Sequence, residues 1–256
     1  MAESRSVVKL VGVAGIALLA LTSGALADGY EGSIKDAPVT PEREFAYSFT
    51  LTGTSDYVFR GVSQSDNDPT VQASAGFTYG IFYAGLWGSG VDWIDTYSTD
   101  EDIEIDYYAG IKPTWGIATF DLGVIYYTYP GVDDSEILEL KFGVSAEVVK
   151  GLTLGGTYYY SPDYNDLDYG VYEFSAGYAL PKVWIFDASV TGQYGYVDNY
   201  AGSGDYGYWN AGLALTVDKL TFDLRYWDND LDSGECPYQA STCDQRFVFS
   251  TTVALP

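Results

Sequence analysis

The sequence predicts an all-β chain, a transmembrane antiparallel up-and-down β-barrel of twelve strands. Three observations predict it. Runs of eight or more residues alternate apolar and polar side chains, the period of a strand with two unlike faces. Short turns and long acidic links alternate between those runs, as they do in bacterial outer-membrane barrels. No amphipathic helical period of any length competes with them.

Residues 1–27 stand outside the pattern. Arg5 and Lys9 give a basic start, residues 10–21 an apolar core, and Ala25, Leu26 and Ala27 an A-x-A site. That is the anatomy of a secretory signal peptide; the apolar run is too short for a spanning helix and ends in small residues. Residues 28–43 are polar, hold two prolines and show no period, so a flexible periplasmic tail is expected there. The barrel is expected over residues 44–256.

Its twelve runs lie near 44–60, 69–79, 81–91, 103–112, 117–129, 137–148, 152–160, 169–180, 184–196, 206–217, 219–227 and 246–255. In the first, Phe45, Tyr47, Phe49 and Leu51 share one face, and Ala46, Ser48, Thr50 and Thr52 the other. In the fourth, Ile103, Ile105, Tyr107, Ala109 and Ile111 oppose Glu104, Asp106, Tyr108, Gly110 and Lys112. In the sixth, Leu138, Leu140, Phe142, Val144, Ala146 and Val148 oppose Glu139, Lys141, Gly143, Ser145 and Glu147. The last sets Phe247, Phe249, Thr251, Val253 and Leu255 against Arg246, Val248, Ser250 and Thr252. The third and seventh are ambiguous in phase, because Gly and Tyr fall on both faces.

After the even runs the links are tight; after the odd runs they are long, as in DWIDTYSTDED (92–102) and DNDLDSGECPYQASTCDQ (228–245). Short periplasmic turns and long acidic extracellular loops follow from that asymmetry. Aromatics collect at both ends of the runs. Tyr57, Phe59, Tyr126, Tyr127, Tyr158, Tyr160, Tyr226 and Trp227 sit near the long loops; Phe45, Tyr47, Phe77, Tyr79, Trp115, Tyr178 and Trp184 sit near the short turns. They are expected to form two girdles at the lipid–water boundaries. A soluble sandwich or eight-stranded barrel has no use for twelve strands and two aromatic bands.

Composition removes whole classes of function. Residues 1–27 take Glu3, Arg5 and Lys9 with them, leaving 35 acidic and 10 basic side chains in 229 residues. A chain this acidic lacks the basic footprint of a nucleic-acid binder. Its 25 tyrosines and 6 tryptophans are equally foreign to an acidic disordered chain. Histidine is absent, which excludes Ser-His and Cys-His nucleophile pairs and any histidine-bound metal. Cys236 and Cys243 lie in a polar loop of an exported chain and are expected to pair as a disulfide. No enzyme activity and no cofactor are expected, since only paired carboxylates remain and no spacing singles out a pair.

In lipid the apolar face must point outward, so the polar face lines the interior. Arg60, Glu104, Asp106, Glu139, Lys141, Glu147, Glu173, Asp187, Asp223, Arg225 and Arg246 then become the expected pore-lining residues. Carboxylates outnumber basic groups among them, which favours cations in a narrow low-dielectric channel. Two readings of the interior stand: a water-filled pore, favoured by the many inward Gly, Ser and Thr, or a plugged lumen in which charges pair and tyrosines fill the gaps. Arg60 is the sharpest single residue. Either its guanidinium sets up a transverse field at a mouth constriction, or it pairs with Asp56 or a loop carboxylate to hold the first loop folded.

Four strings carry a resemblance: SDYVFRGVSQSDNDPTVQASAGF (55–77), FYAGLWGSGVDW (82–93), GVIYYTYPG (123–131) and YYYSPDY (158–164). They resemble the TorF-type porins, a family of small proteobacterial outer-membrane proteins. The resemblance runs through most of the chain after residue 27 and is strongest over 54–131. It implies an outer-membrane barrel with pore activity. Such barrels typically finish on an aromatic that the assembly machinery reads, whereas this chain reads Val253, Ala254, Leu255, Pro256. Either Phe249 and Leu255 suffice, or assembly is less efficient.

The expected partners are outer-membrane lipid and lipopolysaccharide, the barrel assembly machinery and small polar or cationic solutes. The string from Asp228 to Glu235 is similar to a calcium loop, but its glycine falls one place late and Gln239 replaces the terminal glutamate. It is expected to be a solvated acidic loop. A non-conducting structural or adhesive barrel, acting through its outer loops, is the alternative to a porin.

Overall fold

The computed structural model describes residues 45–92, 103–132, 135–164, 167–199, 204–232 and 234–255. The expected signal peptide and periplasmic tail lie outside these residues. Twelve long strands follow one another: β1 (Phe45–Thr54), β2 (Thr70–Tyr79), β3 (Phe82–Gly90), β4 (Ile103–Ile111), β5 (Ala118–Thr128), β6 (Ile137–Val149), β7 (Leu152–Tyr164), β8 (Leu167–Ala179), β9 (Asp187–Asp198), β10 (Tyr206–Val217), β11 (Leu220–Asn229) and β12 (Arg246–Leu255). Each pairs antiparallel with its neighbours in sequence, and β1 pairs with β12 from Phe49 against Leu255 to Thr54 against Ser250. Every strand therefore has two partners and the sheet has no open edge. Closure is what lets β-structure sit in hydrocarbon, where an unpaired backbone group finds no water.

The alternation of side chains fixes which face is which. Phe45, Tyr47, Phe49 and Leu51 of β1 are exposed on the outside, as are Leu138, Phe142 and Val144 of β6 and Phe247 and Phe249 of β12. Val253 pairs with Leu51, keeping the apolar faces in phase across the closing seam. A one-residue slip anywhere would send this face into the lumen, so the pattern specifies register as well as strand. Turns at one end are tight: Asp218, at φ 53°, joins β10 to β11, where a short polar side chain tolerates the left-handed region.

The expected girdles separate into two groups. Phe45, Tyr47, Phe77, Tyr79, Trp115, Tyr178 and Trp184 are all exposed around the short-turn end. At the long-loop end Tyr126 faces out, but Tyr57, Phe59, Tyr127 and Trp227 are buried inside the barrel. Tyr127 and Trp227 share the lumen phase of their strands, and phase decides direction whatever the distance to the loop. Tyr57 and Phe59 are not on β1 at all. That strand stops at Thr54, six residues before the end of the alternating run, and the chain turns inward.

Candidate functional site

The inward segment is a small hairpin, Val58–Phe59 paired with Val62–Ser63. Its two-residue turn is Arg60-Gly61, at φ 47° and 82°. Positive φ at both positions is the geometry that matches the twist of a tight hairpin. The serines and aspartate flanking it do the anchoring. The Asp56 carboxylate accepts from Ser63 Oγ at 2.6 Å and Ser65 Oγ at 3.0 Å, and Ser65 Oγ accepts the Tyr57 amide at 2.9 Å. Val58, Phe59 and Val62 are buried against inward side chains of the wall. The backbone of this stretch is thus satisfied inside the barrel, where a free loop would leave donors orphaned.

Arg60 stands at the hairpin tip and is 4% exposed, against 0% for Glu139 on β6. Nη1 donates to Oε1 of Glu139 at 2.7 Å and Nη2 to Oε2 at 3.0 Å, a two-pronged contact. Tyr127 and Tyr169 hydroxyls donate to the same carboxylate at 2.8 Å and 2.5 Å. The guanidinium carbon lies 4.5 Å from the Phe59 ring centre and 5.2 Å from that of Tyr159. Behind the tip, Asn229 on β11 donates to the Gly61 carbonyl at 2.7 Å. Since β6 and β11 lie on opposite sides of the barrel, the hairpin tip bridges the lumen from wall to wall.

Arg60 does face inward among carboxylates, as expected, but its partner is neither Asp56 nor a loop group. Asp56 is taken by Arg246, at 2.9 Å. The long-loop half of the lumen has the filled form: Trp87, Glu104, Asp106, Tyr127, Glu139, Tyr159, Tyr169, Val171, Val197, Tyr208, Trp227 and Val248 are all buried around the hairpin. Glu104 and Asp106 point in as their phase requires, and no donor meets their four oxygens at hydrogen-bonding geometry.

The short-turn half is wetter and polar. Lys141 on β6 pairs with Asp121 on β5 at 2.8 Å, Lys112 approaches the same carboxylate at 3.7 Å, and Tyr83 donates to it at 2.6 Å. On the other side, Arg225 pairs with Asp223 at 3.0 Å and donates to Asn210 at 2.6 Å and Thr191 at 2.8 Å. Glu173 accepts from Tyr208 at 2.5 Å. Glu147 accepts the Gly151 amide at 2.6 Å in a turn, and Asp187, 75% exposed and paired with Lys182 at 3.2 Å, sits on the rim. These two carboxylates belong to the mouth and not to the interior. Asp121 belongs with the lumen set although the sequence list omits it; its phase with Thr119 and Gly123 was the available signal.

Over the long-loop end, Cys236 and Cys243 are joined as a disulfide. The loop they close reaches the hairpin segment: Tyr238 donates to Gln64 at 3.3 Å and Gln239 to Asp66 at 3.2 Å. Asp205, on another rim loop, accepts the Asn199 amide and the Tyr196 hydroxyl, which hold its carboxyl below the usual range. Among the described residues no three acidic or cysteine side chains converge as a metal site, and the string from Asp228 to Glu235 binds its own backbone.

A closed twelve-stranded antiparallel barrel with an apolar exterior and a charged lumen is a porin-like barrel fold. The chain belongs to the family described as "Bacterial protein of unknown function (Gcw_chp)", whose sequence model matches residues 38–254. Among solved structures it is similar to the KdgM porin, at 8% identity and a TM-score of 0.56 over 82% of this chain and 99% of that one. KdgM porin in complex with disordered oligogalacturonate gives 9% identity and a TM-score of 0.57, covering 82% and 99%. The NanC porin gives 10% identity and a TM-score of 0.52, covering 81% and 99%. At such identities the likeness is one of fold. No curated protein matches the sequence.

Proposed function

We infer that the protein is an outer-membrane porin that passes small hydrophilic solutes, with a weak preference for cations, and that the first-loop hairpin holds it closed in this conformation. The observation that carries the reading is the Arg60–Glu139 contact, a buried ion pair that joins the hairpin tip to the barrel wall. Release of that tip is the step that would join the short-turn half to the outside. The shared fold with porins and the resemblance to TorF-type porins support the same reading.

Solute class follows from the charges left after pairing. Lys141, Lys112, Arg225, Arg246 and Arg60 all have carboxylate partners, whereas Glu104, Asp106 and Glu173 have no ion pair among the described residues. The surplus is negative, and negative walls concentrate cations. A polyanion such as the oligogalacturonate held by the KdgM porin would be repelled. The burial of the hairpin favours one second reading, a permanently closed structural barrel working through its disulfide-pinned outer loops.

Planar-bilayer recording under a salt gradient separates them. Wild-type protein is expected to open rarely, with a cation-preferring reversal potential, and a variant lacking residues 58–63 to conduct steadily. A folded barrel that stays silent in both forms would sink the porin reading.

A further inference from the structure

Glu104 and Asp106 lie two places apart on β4, so both carboxylates enter the lumen side by side. Both are fully buried, and Asp106 is also within electrostatic reach of Glu139. Both terminal nitrogens of Arg60 are committed to Glu139, and no ion pair joins Arg60 to Glu104 or Asp106 among the described residues. Among the described residues, the elements packed around the pair supply no other cation. Across β3 their register partners are Ser89 and Trp87, β5 brings Tyr127, the chain just after β5 brings Tyr129, and the hairpin segment brings Tyr57. The neighbouring loop sequence from 93 to 102 holds four acidic residues and no Lys or Arg. Two adjacent carboxylates sealed from water, with each other and the Tyr57 and Tyr129 hydroxyls in reach but no basic partner among the described residues, are not stable as bare charges.

We propose that Glu104 and Asp106 form a binding site for one hard divalent cation, with the hydroxyls of Tyr57 and Tyr129 at its edge. The donor set is all oxygen, which selects alkaline-earth ions over zinc or copper. A charge of two matches the pair. Calcium fits better than magnesium, which demands octahedral geometry and sheds water reluctantly. Because Tyr57 belongs to the hairpin segment and the carboxylates to the wall, the ion fastens the plug to β4, two strands from the β6 carboxylate that holds Arg60. That consequence for gating rests on the porin reading; the site itself does not.

The test uses full-length refolded protein stripped with chelator, titrated with terbium and read by luminescence sensitised through Trp87 and the neighbouring tyrosines. Calcium is the competitor, in about 1 M NaCl, where the screening length is about 3 Å and diffuse binding to acidic loops is suppressed. One saturable, calcium-displaceable terbium is expected. The E104Q/D106N variant is expected to lose about tenfold or more in affinity, while D230N/D232N, which thins the outer loop, keeps it. Heat-modifiable migration verifies folding, and D106N alone serves if the double variant does not fold. Absence of saturable uptake overturns the proposal, as does uptake that follows the loop variant. So does a wild-type protein indifferent to calcium whose thermal stability rises as the pH falls only while both carboxylates are present, since protons then occupy the pair. None of these readouts involves conductance, so a silent barrel that binds calcium removes the porin reading and leaves this site standing.

Discussion

Arg60 shows how far a single residue can be read. Its inward direction was legible, but the route to it was not: strand phase was extended to a position where the chain had already left the strand. Glu139 is 79 residues away, and nothing local in either stretch names the other as partner. The pair should behave as a buried unit. Replacing Glu139 with Gln strands a guanidinium among tyrosines and is expected to cost about 3–5 kcal/mol in urea unfolding of the folded barrel. Removing both charges, as R60M/E139L, should cost less than either single change; additive losses would show that the two act separately. Gly61 is equally exacting. At φ 82°, a Cβ there would stand 2.8 Å from Tyr208 Cβ and 3.0 Å from Asn229 Cβ. Gly61→Ala should therefore unseat the tip, and chymotrypsin should cut at Tyr57 or Phe59, which the wild-type fold hides.

At the scale of elements, all twelve runs became strands because alternation over ten residues is a long signal and the lipid-facing phase tolerates no slip. Strand ends moved by a few residues wherever loop contacts extend the ladder, as in β7, which runs to Tyr164. The hairpin plug was illegible for a different reason. Two-residue strands carry no period, and Val58, Phe59 and Val62 could equally have continued β1. The disulfide loop was legible as a pair of cysteines, but its grip on the plug was not. Asn229 donates to both the Gly61 and the Cys243 carbonyls, at 2.7 and 2.9 Å, so the loop and the hairpin share one anchor. Closing so short a loop contributes about 2.5 kcal/mol by chain entropy. Reduction should accelerate chymotrypsin cleavage within the first loop while heat-modifiable migration persists. Unfolding of the whole barrel on reduction would mean that the loop supports the wall itself.

For the whole molecule, selectivity depends on where charge is left over after pairing. The short-turn half is nearly balanced: Asp121 faces Lys141 and Lys112, and Asp223 faces Arg225. Glu147 and Asp187 lie at the rim, engaged with a turn amide and with Lys182. Counting carboxylates along the sequence overstated the field, because phase reveals direction and conceals pairing. Glu173 has the Tyr208 hydroxyl as donor but no ion pair among the described residues, and the larger surplus deep in the barrel is the adjacent pair Glu104 and Asp106. In the hairpin-deleted channel, cation preference should therefore rest on this pair. Adding E104Q/D106N to that background is expected to bring the reversal potential close to zero, without a large change in single-channel current, since amides keep the width of the passage. Saturating calcium should move the unsubstituted channel in the same direction by neutralising the same two groups. A reversal potential unmoved by the substitution would assign selectivity to the acidic rim and loops, where about 1 M salt should abolish it.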